Sequence, residues 1–525
     1  MQRLVRIIWA FYVPWIVGAA TAEQWRSRSI YQIITDRYAL PSNAESTKCN
    51  TGNQTWCGGT WNAIRENLDY VQNAGFTAIW ISPVSQNYEG PRTAYGDAYH
   101  GYWIADATKL NDRFGSADDL KALSAELHKR GMYLMVDVVV NNVMATSTTP
   151  DLSPYMFKEQ SQYHPYCPIQ WGNTTSEQDC WLGDTNVTLP DLDTQNPSVV
   201  SGYSLWIKEL VEEYQIDGLR IDGEHFMTRI ARHVNTDFWP IFCGAAGVFC
   251  IGEVFDGNIT QAAQYQGPNA LDSILNYPMY GVLVDAFAIP GARNDPGLLG
   301  NFLEDQDVPR WANFSVDPQT LYNAMVFTFM SDGIPIVYYG QEQGFNGSGD
   351  PWNREPLWPS GYANSSIYQL VTSLNKFRNF LIAGNTGWLH SPAQVLTTSP
   401  YGLGLMKGDV VSILTTIGSP PQNVSLAVYT PFREESATTD ILTCKQYAVG
   451  SNGTIVVSYE KGGRPTILIP DKLLANSGFC GYEPQVAVFT GNAALSGAVG
   501  RSMRSGITTG FALLFLIGIC TFLAM

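Results

Sequence analysis

A parallel eight-stranded βα barrel with an insert after its third strand, followed by a small antiparallel β-domain, is the fold class this 525-residue sequence predicts. Three observations predict it. Between Ile30 and Tyr338 short apolar runs alternate with amphipathic helical stretches, the pattern of strands buried on both faces by crossover helices. No glycine-rich phosphate loop follows the first run, which argues against a doubly wound sheet. Beyond about Pro392 helical spacing gives way to short β-type runs.

In order, the first strand is Ile30 to Thr35, and a helix over Trp61 to Gly75 leads into Ala78–Ser82, capped by Pro83. Ala117 to Gly131 is a helix with glycine as its stop signal, and Tyr133 to Val140 reads as a fully buried strand. Residues 141–200 lose the periodicity, and so long an insert in a compact domain marks a functional excursion. The alternation resumes with a helix over Val200 to Tyr214, then strands at Ile216–Ile221, Val248–Glu253, near Ile274-Leu275 and at Gly300–Leu303. Helix Pro318 to Met330 and strand Ile334–Tyr338 complete eight strands. Runs at Val410–Thr415, Val424–Tyr429, Thr454–Ser458 and Pro465–Ile469 supply the β-domain. The predicted organisation is a leader over 1–22, a barrel over 23–395 containing the insert 141–200, a β-domain over 396–490 and a tail over 491–525.

The composition, 45% hydrophobic and 15% charged, supports a large core, and a net charge of −16 argues against nucleic acid as a partner. The two ends argue for a membrane-surface destination. Arg3 and Arg6, an apolar stretch from Ile7 to Val17 and Ala20-Thr21-Ala22 form a signal peptide; Pro14 and the short run disfavour a retained anchor. Gly510 to Met525 is apolar, preceded by a polar spacer and by Ser496-Gly497-Ala498, the layout of a GPI-attachment signal. Ser496 is the expected attachment residue, with Asn492 second; a transmembrane helix is the alternative, for which about 16 residues are marginal. A secreted route makes Cys49/Cys57, Cys167/Cys180 and Cys444/Cys480 plausible local disulfides, with Cys243 and Cys250 paired or left as thiols. Nine acceptor sequons, at Asn53, Asn173, Asn186, Asn258, Asn313, Asn346, Asn364, Asn423 and Asn452, add to the expectation of a glycosylated surface protein.

The chemistry-bearing residues stand at strand ends. Gly218-Leu219-Arg220-Ile221-Asp222 is an apolar strand interrupted by an arginine and closed by an aspartate, expensive to desolvate without a purpose. Glu253 closes Val248–Gly252, and Asp307 follows Asn301-Phe302-Leu303. Three such carboxylates in one site are the equipment for making or breaking glycosidic bonds.

With these motifs the sequence resembles the fungal α-amylase family of barrel glycoside hydrolases, from about Gln24 to Cys480. The resemblance rests on Asp137-Val138-Val139-Val140-Asn141-Asn142, Gly218–Asp222, Gly252-Glu253-Val254 and Phe302-Leu303-Glu304-Asp305-Gln306-Asp307. Tyr95–Trp103 and Gly340-Gln341-Glu342-Gln343 match as well. It implies that Asp222 is the nucleophile, Glu253 the acid/base, and Asp307 the residue that distorts the sugar and stabilises developing positive charge. Arg220 would hold Asp222 ionised. His100 and Tyr102 would line the cleavage subsite, with Asp350 and Arg354 gripping the next sugar. It also implies calcium, held by Asn141 and Asp191 side chains with carbonyls near Gln178 and in the loop after Asp222.

The sequence departs from that family in four places. Asn142 and Gln306 stand where the amylases usually have histidines that donate to the cleavage-subsite sugar, and an amide cannot carry their charge. Losing one such contact costs a few kcal/mol of barrier, roughly a hundred-fold in rate. About seven extra residues follow Gly223, so that either His225 or His233 takes the histidine position on the acceptor and calcium side. The chain after the sixth strand is also shorter. Two missing histidines with a GPI signal resemble the fungal GPI-anchored 4-α-glucanotransferases, implying transfer between α-glucan or malto-oligosaccharide chains by a monomer at the cell wall. Hydrolysis as an α-amylase and a non-catalytic glucan-binding wall protein are the alternatives.

Overall fold

The computed structural model describes residues 20–44, 49–223, 233–285, 298–384 and 387–483. Most of the leader, His225, Asn492, Ser496 and the apolar tail lie outside them. Among the described residues no helix is long and apolar enough to cross a membrane.

Eight parallel strands form the barrel: β1 (Ile30–Ile33), β2 (Ala78–Ile81), β3 (Tyr133–Val138), β4 (Gly218–Ile221), β5 (Phe249–Gly252), β6 (Ser273–Ile274), β7 (Gly300–Asn301) and β8 (Ile334–Tyr338). The hydrogen-bonded order is β6-β5-β4-β3-β2-β1-β8-β7, and a parallel bridge between Leu275 and Gly300 joins the two ends. The apolar runs divide by period two. Tyr31, Ile79, Leu134, Val136, Leu219 and Ile221 pack outward against the helices. Ile30, Ala78, Trp80, Met135, Phe249, Ile251 and Ile336 fill the barrel. Gly218 begins β4 because the Trp25 indole seals the barrel floor there: a Cβ at 218 would lie 2.7 Å from Trp25 Cζ2.

The insert is less irregular than its sequence suggests, containing a helix (Thr174–Asp179) and a two-stranded ladder, Leu182–Gly183 against Thr188–Leu189. The C-terminal β-domain comprises β9 (Gln394–Ser399), β10 (Gly402–Lys407), β11 (Val410–Thr415), β12 (Ser425–Tyr429), β13 (Ala437–Asp440), β14 (Gln446–Ala448), β15 (Thr454–Ser458) and β16 (Thr466–Pro470). Its main sheet runs β9-β10-β11-β16-β13-β14, and β12 pairs with β15. Asn323, on the helix Pro318–Met330, fastens this sheet to the barrel by accepting from Thr415 N (2.8 Å) and donating to Gly463 O (2.9 Å).

Several expected elements differ: β1 stops at Ile33, before a helical turn over Thr35–Tyr38, and β3 stops at Val138. The helix over 61–75 is two helices, Trp61–Glu66 and Leu68–Asn73, broken at Asn67, whose side chain donates to Ala63 O (2.9 Å) in competition with the backbone. The seventh strand stops at Asn301, because Phe302 leaves the ladder to pack on Tyr277 and Tyr280.

The three expected disulfides form, Cys49–Cys57, Cys167–Cys180 and Cys444–Cys480, and Cys243 and Cys250 remain thiols. Two of the bridged cysteines lie deep: Cys57 and Cys180 are buried, at 8% and 7% exposure. Cys57 is drawn inward by its backbone N–H, which donates to the buried Asp36 Oδ2 (2.8 Å). Cys180 ends the helix Thr174–Asp179 within the insert, where Trp181 N donates to Cys167 O (3.0 Å). Each of these two bridges therefore packs one sulfur into the interior besides closing its loop. All nine sequon asparagines are exposed.

Candidate active site

The same period-two alternation that fills the barrel turns Asp137 of β3 and Arg220 of β4 inward, directly opposite each other in register. Ile221 then points outward, and Asp222, the next residue, returns to the interior at the C-terminal rim, where barrel active sites lie. Arg220 is fully buried and joins three acids. Its Nη1 donates to Asp137 Oδ2 (2.9 Å) and Oδ1 (3.1 Å) and to Asp222 Oδ1 (2.6 Å); its Nη2 donates to Glu253 Oε2 (2.6 Å). One planar guanidinium thus aligns the two sequence-predicted reacting carboxylates, which a lysine ammonium could not do. Burial opposes the Arg220 cation, but Asp137, Glu253 and Asp222 outweigh it and hold it protonated well above its ordinary value. Burial pushes Asp137 up to about 6 against the pull of Arg220.

Glu253 is gripped on both oxygens. Oε2 also accepts from Gly223 N (3.1 Å), and Oε1 lies 3.0 Å from the Tyr277 hydroxyl. That hydroxyl also contacts Asp305 Oδ2 at 2.7 Å. Asp305 Oδ1 accepts from the backbone N–H groups of Asp307 (2.7 Å) and Val308 (3.0 Å), shaping the loop that presents Asp307. Burial, reinforced by Glu253 and Asp305, pushes Asp307 well above the usual carboxylate range. Arg354 answers it with Nη2 3.3 Å from Asp307 Oδ1, while Nη1 pairs with Asp350 Oδ1 (3.1 Å). A second buried pair, Arg310 with Glu304 (3.1 Å), anchors this loop from behind.

Gln306 is tied at both ends of its amide. Its Oε1 accepts from Gln32 Nε2, and its Nε2 donates to the Tyr102 hydroxyl (3.2 Å), which in turn donates to Asp137 Oδ2 (2.8 Å). His100 stacks on Tyr102 with centroids 5.8 Å apart, and its Nδ1 accepts from Tyr102 N. Burial and the charges of Arg354 and Arg37 push its imidazole well below the usual value, so His100 is neutral. Asn142 donates to Asn141 Oδ1 (3.0 Å).

Asn141 and Asp191 meet where the insert crosses the barrel rim: Asn142 and Asp191 form an antiparallel bridge, and Leu192 N donates to Asn141 O (2.7 Å). His164 Nδ1 lies 2.7 Å from Asp191 Oδ2, whereas Asp191 Oδ1 is buried with no hydrogen-bond partner. Burial pushes Asp191 up to about 8, the behaviour of a carboxylate short of positive charge. Among the described residues no three His, Cys, Asp or Glu side chains gather as a metal group. The donors here are one carboxylate plus amide and backbone oxygens, a set that fits calcium better than softer ions. Gln178 lies on the helix Thr174–Asp179, and His233 lines one small cavity with Asn141, Asp222 and Glu253. Burial pushes His233 down to about 4, leaving it neutral.

The structure therefore gathers Arg220, Asp222, Glu253, Asp307, His100, Tyr102, Gln306, Asp350 and Arg354 into linked contacts, and sets Asn141, Asn142, Asp191 and His233 beside them. Sequence reasoning missed Gln32 and Tyr277 as site residues and included Asp137 and Asp305 only as motif letters. Asp137 carried a usable signal, an acid inside an apolar run. Tyr277 carried none.

A parallel barrel that gathers acids around one buried arginine at its C-terminal rim has the architecture of a carbohydrate-active barrel enzyme. Residues 32–376 match the family model "Alpha amylase, catalytic domain", and residues 396–487 match "Alpha-amylase, domain C". The chain belongs to the alpha-amylase family. It is 42% identical to Alpha-amylase 2 of Schwanniomyces occidentalis over 89% of this chain and 94% of that protein. It is 39% identical to Alpha-amylase mde5 of Schizosaccharomyces pombe over 87% of this chain and 89% of that one. An alpha-amylase structure from Malbranchea cinnamomea superposes with a TM-score of 0.82 at 38% identity, covering 88% of this chain and all of that one.

Proposed function

We propose that this member of the family is a retaining 4-α-glucanotransferase that moves segments of α-1,4-glucan between chains. Asp222 attacks the anomeric carbon and forms the covalent glycosyl-enzyme, Glu253 protonates the departing oxygen and then deprotonates the acceptor, and Asp307 stabilises the positively charged sugar between them. His100 and Tyr102 form the floor of the cleavage subsite, and Asp350 with Arg354 holds the next sugar on the donor side. The observation that carries the preference for transfer is the Gln306 amide, whose donor serves Tyr102 and whose acceptor serves Gln32. With Asn142 turned to Asn141, neither amide matches a charged imidazole as a donor to the sugar. A slower glycosyl-enzyme hydrolysis leaves time for a glucan hydroxyl, held by the acceptor side near His233, to intercept the intermediate.

Hydrolysis is the second reading, favoured by relatives named alpha-amylases. Maltoheptaose separates the two. Transfer is expected to give both longer and shorter oligomers without growth in reducing ends, read by chromatography and a reducing-end assay. A net rise in reducing ends matching the products formed would establish hydrolysis instead.

The proposal extends to setting. The enzyme is secreted, glycosylated at the exposed sequons and GPI-linked through Ser496 or Asn492, working as a monomer on wall α-glucan. Calcium held by Asn141, Asp191 and carbonyls near Gln178 and His233 would lock the insert to the barrel rim. Chelation is accordingly expected to lower the Tm by roughly 5 °C or more, with recovery on adding calcium but not magnesium. A Tm indifferent to chelator would remove the ion from the structure.

A further inference from the structure

Tyr277 poses a problem of proton counting. Its hydroxyl has one hydrogen, yet it stands 3.0 Å from Glu253 Oε1 and 2.7 Å from Asp305 Oδ2. All three groups are buried. Burial and the neighbouring acids push Tyr277 far above its ordinary value, so it keeps its hydrogen. If both acids were ionised, one of the two contacts would set a carboxylate oxygen against a lone pair at hydrogen-bond distance with nothing between them. The trio must therefore carry one proton more than the tyrosine supplies. Burial raises Asp305 above the usual carboxylate range, but the backbone N–H groups its Oδ1 accepts pull the other way, and the shorter contact marks Asp305 as the acceptor of the tyrosine hydrogen. That orientation leaves the Tyr277 oxygen as an acceptor facing Glu253.

We propose that Asp305 and Tyr277 hold the working proton of Glu253: the hydroxyl, donating to Asp305, accepts the Glu253 carboxyl hydrogen and keeps that group in its acid form until a glycosidic oxygen takes the proton. The inference rests on Glu253 being the acid/base. In the first step the Glu253 O–H bond breaks and its proton goes to the glycosidic oxygen. The C1–O bond breaks with its electron pair leaving on that oxygen, and C1 bonds to Asp222. Tyr277 retains its own hydrogen throughout. Tyr277 and Asp305 are positioning residues, acting on the sugar only through Glu253.

The other groups facing Glu253 are Asp137, Arg220, Asp222 and His233 from β3, β4 and the segment after it, and Asp307 from the loop after β7. Arg220 is the cation among these groups, and Asp137, Asp222 and Asp307 are acids. Against that fixed background the charge of Asp305 is the adjustable part.

The test is the pH profile of kcat/KM on maltoheptaose, whose basic limb reports loss of the acid's proton. Asp305→Asn removes a negative charge, and Tyr277→Phe removes the acceptor. Each is expected to move the basic limb about one pH unit lower, with the acidic limb unchanged. No movement in either variant, or movement upward, overturns the relay, and a retained Tm shows that both variants fold. Glu253→Gln separates this from the underlying assignment. It should abolish turnover of maltoheptaose yet spare release of a nitrophenol leaving group, which needs no proton. If Glu253→Gln keeps a basic limb, the acid/base assignment fails and the relay with it. If the limb is lost there but unmoved in the other two variants, only the relay fails.

Discussion

Asp222→Asn is expected to reduce turnover of maltoheptaose at least about 10⁴-fold, with transfer and hydrolysis falling together, because in the proposed mechanism both pass through one covalent adduct on Asp222. The amide is nearly the size of the carboxylate and can still meet Arg220, whose Nη1 stands 2.6 Å from Asp222 Oδ1, so the fold should survive. The site would lose the proposed nucleophile and keep its shape. Circular dichroism and a Tm measurement establish folding, and product chromatography reads the activity. Full activity in this variant would refute the nucleophile assignment. Loss of transfer alone, with hydrolysis intact, would show that the two products do not share an intermediate.

Arg220→Met is the second large effect, and here stability falls with activity. Arg220 is the cation that Asp137, Asp222 and Glu253 share. Its removal leaves three acids in a dry interior, and breaking a buried charge network from one side costs about 3–5 kcal/mol. Those acids can recover part of that by binding protons, so the variant should be least stable at neutral pH and regain stability as pH falls. The sign follows from Asp137, which burial already pushes up to about 6 with the arginine present and whose affinity for a proton rises without it. Urea denaturation at pH 5 and pH 8 measures the difference. Arg220→Lys should fall between Met and wild type in stability and remain inactive, because one ammonium cannot meet three carboxylates along two edges. A variant as stable as wild type at pH 8 would show that the acids find their counter-charge elsewhere.

The barrel was legible because its strands are buried on both faces, so their apolar runs stand out from the amphipathic helices; β8 and the helix Pro318–Met330 fall where the periodicity sets them. The three carboxylates were legible for a related reason, as charges ending apolar runs. What periodicity cannot convey is side-chain direction at the rim. Asp137 and Arg220 face each other through strand register, and register is a property of two distant segments. Gln32 reaches Gln306 across 274 residues, and Tyr277 reaches Asp305 across 28. The cysteine spacings likewise gave the pairings but not the depth of Cys57 and Cys180, which depends on what packs over each loop. β6 and β7 were placed only approximately, because two-residue strands leave too short a run to register as a pattern.

Those two short strands bear on how the site breathes. Most barrel neighbours share ladders of three or four residue pairs, but β6 and β7 touch through the single Leu275–Gly300 bridge, helped by Asn276 N to Gly300 O (2.9 Å) and Asn276 to Asn301 (2.8 Å). This is the thinnest seam in the wall, where local opening breaks the fewest bonds. Tyr277 begins two residues beyond it on one side, and the loop carrying Asp305 begins just beyond it on the other. A transient parting of the seam would draw the tyrosine from the aspartate while Arg220 still held Asp222 and Glu253 together. Amide exchange at Asn276 and Gly300 would register that opening, which on the proposed roles would interrupt proton handling while the Asp222 side of the barrel stays folded.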